Sequence, residues 1–198
     1  MTKYKHLFEP IKVGNRIIKN RIFMPPISTN LANKGYVTDE LIQHYSDRAK
    51  GGVGLIVSEV VTVEPTYIYL PGDMSIHDDS YIEGWTKLYK EVHKYGAVLL
   101  AQLFHPAYMA FPIPGTPQLI APSNVGPYYA KAAPREVTIE ELKVIIRQFG
   151  EAANRIKQAG GDGVEIHCAH AHGLLGGFLS PLYNKRSDEY ILERTRKL

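Results

Sequence analysis

Apolar and polar positions change rhythm several times along the chain, and each change predicts an element. Gly14-Asn15 sits between the apolar flanks Val13 and Ile17, which predicts a small hairpin. Arg21 to Met24 follows as a first central strand, stopped by Pro25-Pro26. Thr38-Asp39-Glu40 then opens a helix, the hydroxyl capping free amides and the carboxylates facing the positive end of the dipole; it runs to Lys50, before Gly51-Gly52. Val53 to Ser58 reads as a buried strand. Ser80-Tyr81-Ile82-Glu83 has the spacing of a capping box, opening a helix to Tyr95 with Gly96 at its end, and Ala97 to Leu103 is a third strand. A second capping box, Thr138-Ile139-Glu140-Glu141, precedes Leu142, Ile145, Ile146, Phe149, Ala153 and Ile156 at helical spacing, up to Ala159-Gly160-Gly161. The fourth strand begins at Gly163, with Val164 and Ile166 alternating against Gly163 and Glu165.

The resulting order, βαβαβαβ, makes every strand parallel through right-handed crossovers, with the helices outside. Four such strands are half of a (βα)8 barrel of the TIM type, an α/β fold whose functional groups gather at the carboxyl ends of the strands. Here those ends carry Pro25 to Ser28, Glu59-Val60, Gln102 with His105, and His167 with His170. All four clusters are expected around one cavity. His105 to Arg135, with prolines at 106, 112, 114, 117, 122, 127 and 134, reads as too proline-rich for regular structure and too long for an idle connector, hence as a lid or wall.

With 198 residues, 44% of them hydrophobic, the chain suits one globular domain, 1–198. A complete barrel takes about 250 residues, so the expectation is an apparently truncated, N-terminal half-barrel. The 23 basic and 20 acidic residues give a mixed surface of net charge +3, with no basic run of the kind that tracks nucleic acid, so a small-molecule substrate is expected. Cys168 is the sole cysteine; it excludes an intrachain disulfide and leaves an iron–sulfur cluster without ligands. No apolar stretch follows the N-terminus or is long enough to span a bilayer, so a soluble, cytoplasmic protein without membrane partners is expected.

The fourth strand empties His167, His170 and His172 into a turn ending at Gly173. Imidazoles at this spacing can grip an anion or a carbonyl oxygen. They can also bind zinc, with Glu165 or His105 completing a hydrolase site, and strand alternation points Glu165 and His167 to one side. Cys168 is read as a packing residue, since nothing next to it in sequence activates a thiol.

From Gly163-Val164-Glu165-Ile166-His167 through Ala169-His170, Phe178-Leu179-Ser180-Pro181 and Asn184-Lys185-Arg186-Ser187-Asp188-Glu189-Tyr190, the chain resembles the Old Yellow Enzyme family of FMN-dependent ene reductases, especially its 2-enoate and dienoyl-CoA reductase branch. Leu7-Phe8-Glu9-Pro10-Ile11, Lys19-Asn20-Arg21-Ile22, Ala101-Gln102-Leu103 and His105 extend the resemblance over nearly the whole chain. It implies FMN at the barrel mouth, touched by Pro25, Pro26, Ile27, Ser28, Val60 and Gln102, and NAD(P)H as the reductant of an activated carbon–carbon double bond. Gln102, able to donate and accept at once, would match the flavin pyrimidine edge; its alternative is to satisfy buried backbone. His167 and His170 would hold the substrate carbonyl, and His172, where many relatives carry tyrosine, is the candidate proton donor beside bulk water. Ser28 stands where one branch carries a flavin-linked cysteine, so covalent attachment is not expected. After Tyr190 the remaining four strand–helix units of relatives, with their flavin arginine and phosphate loops, do not follow. That implies weak or absent FMN binding and a partner, either a second copy or the C-terminal half-barrel. The alternatives are a non-catalytic half-barrel scaffold that dimerises and a zinc-dependent barrel hydrolase.

Overall fold

In the computed structural model, residues 3–111, 115–127, 133–169 and 171–195 are described. The hairpin forms from β1 (Ile11–Val13) and β2 (Arg16–Ile18), antiparallel, with Val13 opposite Arg16 and Gly14 turning at φ +58°. β3 (Phe23–Met24) is shorter than the pattern predicts, because Ile22 is held back by the Asn20 side chain, which accepts its N–H at 3.0 Å. α1 (Asp39–Lys50) starts as expected, Thr38 Oγ1 accepting from Leu41 N–H at 3.2 Å.

β4 (Leu55–Thr62) begins later and runs further than Val53 to Ser58. A register shift between Val57 and Val60 lets the strand keep pairing past the expected stop, so Glu59 and Val60 lie inside it rather than beyond its end. Its last residues also pair with β5 (Met74–Ser75), which no periodicity announced. The expected Ser80–Glu83 capping box does not form. Asp78 accepts from Ser80 N–H at 2.8 Å and starts a 3-10 turn over Asp79–Tyr81, which feeds α2 (Ile82–His93) without a side-chain cap.

β6 (Val98–Phe104) turns Leu99, Ala101 and Leu103 into the core and Gln102 to the opposite face. The proline-rich wall is more regular than expected: within it β7 (Ile120–Ala121) pairs in parallel with β8 (Arg135–Glu136). α3 (Ile139–Gln158) has its full capping box, Thr138 Oγ1 accepting from Glu141 N–H at 3.2 Å and Glu141 Oε2 from Thr138 N–H at 2.9 Å. β9 (Gly163–Ile166), α4 (Gly173–Phe178) and α5 (Leu192–Thr195) complete the chain.

The sheet runs β3-β4-β6-β9, all parallel, with β5 added at β4. The main core, including Leu41, Tyr45, Ile56, Trp85, Leu88, Leu99 and Ile156, joins strands to helices. A second core of Tyr108, Ile120, Val137, Leu142, Leu174 and Phe178 ties the wall to α3 and α4. Residues of the late signature staple that layer: Asn184 Nδ2 donates to the Phe178 and Tyr190 carbonyls at 3.0 Å each. Buried Arg186 donates to the Pro122 carbonyl at 3.0 Å and the Val137 carbonyl at 2.8 Å while pairing with Asp188. Among the described residues no helix is long and apolar enough to cross a membrane.

Candidate active site at the carboxyl ends of the parallel strands

Alternation along parallel strands sends every second side chain to the face away from the helices, and at the carboxyl ends these side chains line a cavity of about 570 Å³. Pro26, Ile27 and Ser28 enter from the loop after β3, Val60 from β4, Tyr69 from the loop after it, Gln102 from β6, and Glu165 with His167 from β9 and its end. Pro25, expected beside them, is exposed and is not part of the lining. His170 lies outside the described residues.

Gln102 and Glu165 are neighbours in register across β6 and β9, and Gln102 Nε2 donates to Glu165 Oε1 at 2.7 Å. The amide is thus committed to a side chain rather than to buried backbone, and this bond uses one of its two N–H groups. His167 continues the ladder by donating its N–H to the Leu103 carbonyl at 3.0 Å, and its ring then stands 4.9 Å from Phe104 and stacks on His172 at 5.5 Å and 14°. His172 in turn meets Tyr69 edge-on at 5.1 Å. His172, the candidate proton donor, is therefore part of an aromatic floor that also lines the cavity. The turn holding that floor is closed by Gly173, at φ +64°, where a Cβ would run into the Phe104 ring and the His105 carbonyl.

Two expectations fail here. His105 does not join the cavity: it is buried behind the sheet end, its ring 5.5 Å from Tyr67, in a separate cleft of about 280 Å³ with Glu64 and Ile120. Burial pushes its pKa down to about 4, so it is neutral. Cys168 is not a packing residue but exposed, because β9 has no strand beyond it among the described residues to cover that side. It borders both the cavity and an apolar groove formed by α3, α4 and Ile166. With His105 turned away, no group of three or more His, Cys, Asp or Glu side chains among the described residues is placed to hold a metal ion.

Tyr69 has no signal in the sequence, because β4 runs past the apolar Val53 to Ser58 pattern and the loop after it carries no periodicity. Among the described lining residues there is no lysine or arginine, and Glu165 is the carboxylate.

The family model for NADH:flavin oxidoreductase / NADH oxidase matches residues 6–194. An NADH oxidase of Thermoanaerobacter brockii is 43% identical over 193 residues, 96% of this chain and 30% of that protein. An NADPH dehydrogenase of Clostridium acetobutylicum is 39% identical over 185 residues, 93% of this chain and 54% of that one. The structure of 2-naphthoyl-CoA reductase with 2-naphthoyl-CoA superposes with a TM-score of 0.88 at 30% identity, covering 98% of this chain and 32% of that one. The chain thus spans about a third to a half of these relatives, and in it the parallel strands, the hairpin and the strand-end cavity are those of a partial barrel. Strand order, cavity and sequence agree that this chain belongs to the NADH:flavin oxidoreductase / NADH oxidase family, that of Old Yellow Enzyme.

Proposed function

We propose that the cavity is the cofactor and substrate site of an FMN-dependent ene reductase, which reduces the activated double bond of an enoate or enone with NAD(P)H. The observation that carries this reading is the convergence of Ser28, Val60, Gln102, His167 and His172 on one cavity of about 570 Å³ at the strand ends. That volume falls within the usual range for cofactor sites, roughly 300–1,000 Å³. The donor set also fits a flavin pyrimidine edge: the Gln102 amide retains an acceptor oxygen and a second N–H, and Ser28 lines the same cavity. Pro26, Ile27, Ser28, Val60 and Gln102 would hold the ring, and FMN when bound supplies the hydride chemistry.

The chain's own residues supply the rest. His167, and by the family resemblance His170, donates hydrogen bonds to the substrate carbonyl oxygen and stabilises the negative charge that develops there. His172 or water returns the proton at the α-carbon. Phe104 and Tyr69 pack against the imidazoles. The described lining residues include no cation for a phosphate, so a tight FMN site needs more polypeptide than these residues. We propose that the open edge of β9 and the groove on α3 seat the further strand–helix units of a complete barrel, with a second copy as the competing occupant. A reducing, cytoplasmic setting suits the exposed Cys168 thiol.

The test is FMN titration of the chain alone and together with the remaining strand–helix units of a relative, followed by separate flavin reduction by NAD(P)H and reoxidation by an enone. The expected result is tight FMN only in the combined form, with His167→Ala slowing reoxidation by about 2–4 kcal/mol of barrier and leaving NAD(P)H reduction nearly unchanged. No flavin bound in either form sinks the reading in favour of a non-catalytic half-barrel. Equal loss in both half-reactions removes His167 from the substrate carbonyl.

A further inference from the structure

The loop between β4 and β5 borders two cavities. Tyr69 lines the first, while Ile68 and Pro71 line a second of about 400 Å³, and the two share no lining residue. The second is walled further by Ser75 of β5, by His77 and Tyr81 ahead of α2, and by Phe111. Its frame is held by bonds of its own. Ser75 N–H donates to the Gly35 carbonyl at 2.9 Å, and Phe111 N–H to the Ile68 carbonyl at 2.6 Å. Gly35 turns at φ +83° with no room for a Cβ against Ser75, and the His77 ring meets Tyr81 at 4.9 Å.

Two buried carboxyl groups also line this cavity. Asp73 is 3% exposed and Glu64 5% exposed, and no ion pair among the described residues includes either. Both Glu64 oxygens accept from backbone, one from Thr66 N–H at 2.9 Å and the other from Tyr67 N–H. Asp73 Oδ2 accepts from Leu70 N–H at 2.9 Å, and the Ser28 side chain hydrogen-bonds the same carboxyl group. Asp73 Oδ1, however, is buried with no hydrogen-bond partner, and so is His77 Nδ1. Lys34, the one lysine or arginine among the lining residues, is exposed. Burial followed by the Glu59 charge raises the Asp73 pKa to about 7, while burial raises that of Glu64 and lowers that of His77, whose ring is neutral.

A buried acceptor without a donor is costly, and a donor that enters the cavity offsets that cost. A donor that is also a cation does more, because it balances a carboxylate that nothing else in the wall pairs. A bare metal ion does not suit the arrangement, since no group of three or more His, Cys, Asp or Glu side chains among the described residues is placed to hold one. An organic cation does: its charged head meets the carboxyl side, and its body lies against Ile68, Tyr81 and the half-open ring of Phe111. The volume lies in the range of small-molecule sites, roughly 300–1,000 Å³. We propose that this cavity is a second binding site, which takes a small primary amine on an aromatic body and offers Asp73 Oδ1 as acceptor for the ammonium group. The site lies outside the flavin cavity and does not rest on the flavin reading.

Benzylamine is the probe, titrated into the chain and followed by nitrogen–proton NMR, with no flavin needed. The amides of Thr66, Tyr67 and Leu70, bonded to the two carboxyl groups, and the Trp85 indole N–H, which donates to the Ser75 carbonyl at 3.1 Å, are expected to shift together and saturate. Benzyl alcohol has the same body without the charge and should bind at least about tenfold more weakly, and Asp73→Asn should weaken benzylamine by a similar factor. Phe111→Ala, at an exposed wall position outside both cores, should weaken both probes. Absence of a saturable shift overturns the site, as does equal affinity for amine and alcohol or an affinity indifferent to both substitutions. Shifts at Gln102 and His167 in place of Thr66 and Leu70 put the amine in the first cavity and overturn it equally.

Discussion

Adding a methyl group at Gly173 puts it against the Phe104 ring and within 2.7 Å of the His105 carbonyl, at a backbone angle of φ +64° that an L side chain adopts only with strain. Backbone cannot yield as a flexible side chain does, so Gly173→Ala is expected to destabilise the fold by about 2–3 kcal/mol, read by urea unfolding, and to disturb the aromatic floor of the cavity. Asp73 makes a prediction of opposite character. Its folded pKa, about 7 against an ordinary 3.8, means that the folded state binds the extra proton between those values. Stability from this group therefore falls as pH rises from 4 to 7 and is level above that, a change on the order of 2–4 kcal/mol. Subtracting the Asp73→Asn profile from that of the wild type should isolate this slope; an unchanged difference across the window contradicts the buried acid. Ser28, Gln102 and His167 were legible in the sequence because each follows a strand pattern into a change of chemistry. Cys168 and His105 were not, since exposure depends on whether another strand lies alongside, and spacing along one strand does not reveal it.

Two segments carry the same Ser/Thr-x-x-Glu spacing, yet one became a reciprocal cap and the other did not. Thr138 and Glu141 exchange both bonds, and Glu141 is further held by Arg135 at 2.5 Å, which keeps its pKa down at about 2. At Ser80 the earlier Asp78 takes the free amide first, and the Ser80 hydroxyl goes to Tyr36 at 3.0 Å. Thr138→Ala is accordingly expected to cost about 1 kcal/mol and Ser80→Ala clearly less, compared by thermal or urea unfolding. The helices and the long strands were readable because their apolar periods are sustained. β5, β7 and β8, each two residues long, have no period to read and exist only through the partner that tertiary packing brings.

Across the molecule, one group of outward-facing apolar side chains lies beside the last strand of the sheet. Ile146, 59% exposed on α3, and Ile166, 41% exposed on β9, flank a groove of about 490 Å³ with Phe149, Leu175 and Leu179. Beside it runs the edge of β9 that no strand among the described residues pairs, so apolar area and free backbone groups coincide. The chain alone is expected to self-associate as concentration rises, seen by light scattering or sedimentation, and Ile146→Lys with Ile166→Lys should return it toward monomer. A monomer at all concentrations contradicts the exposed face. The parallel order β3-β4-β6-β9 was legible because successive strand–helix repeats specify neighbours without knowledge of contacts. It did not show that residues 105–136 carry a second core, since Tyr108, Ile120 and Val137 meet α3 and α4 only after the chain has doubled back.

Strand order in space, β3-β4-β6-β9, is also order in the chain. During synthesis from the N-terminus each strand emerges to find its neighbour already made, and the crossover helix between them is local. No strand of the main sheet has to be held open for one translated later, which limits the time any edge spends bare. The edge of β9 is then the last to form in a vectorial process: the line of amides and carbonyls that makes the chain adhesive is exposed only once the rest of the sheet is in place.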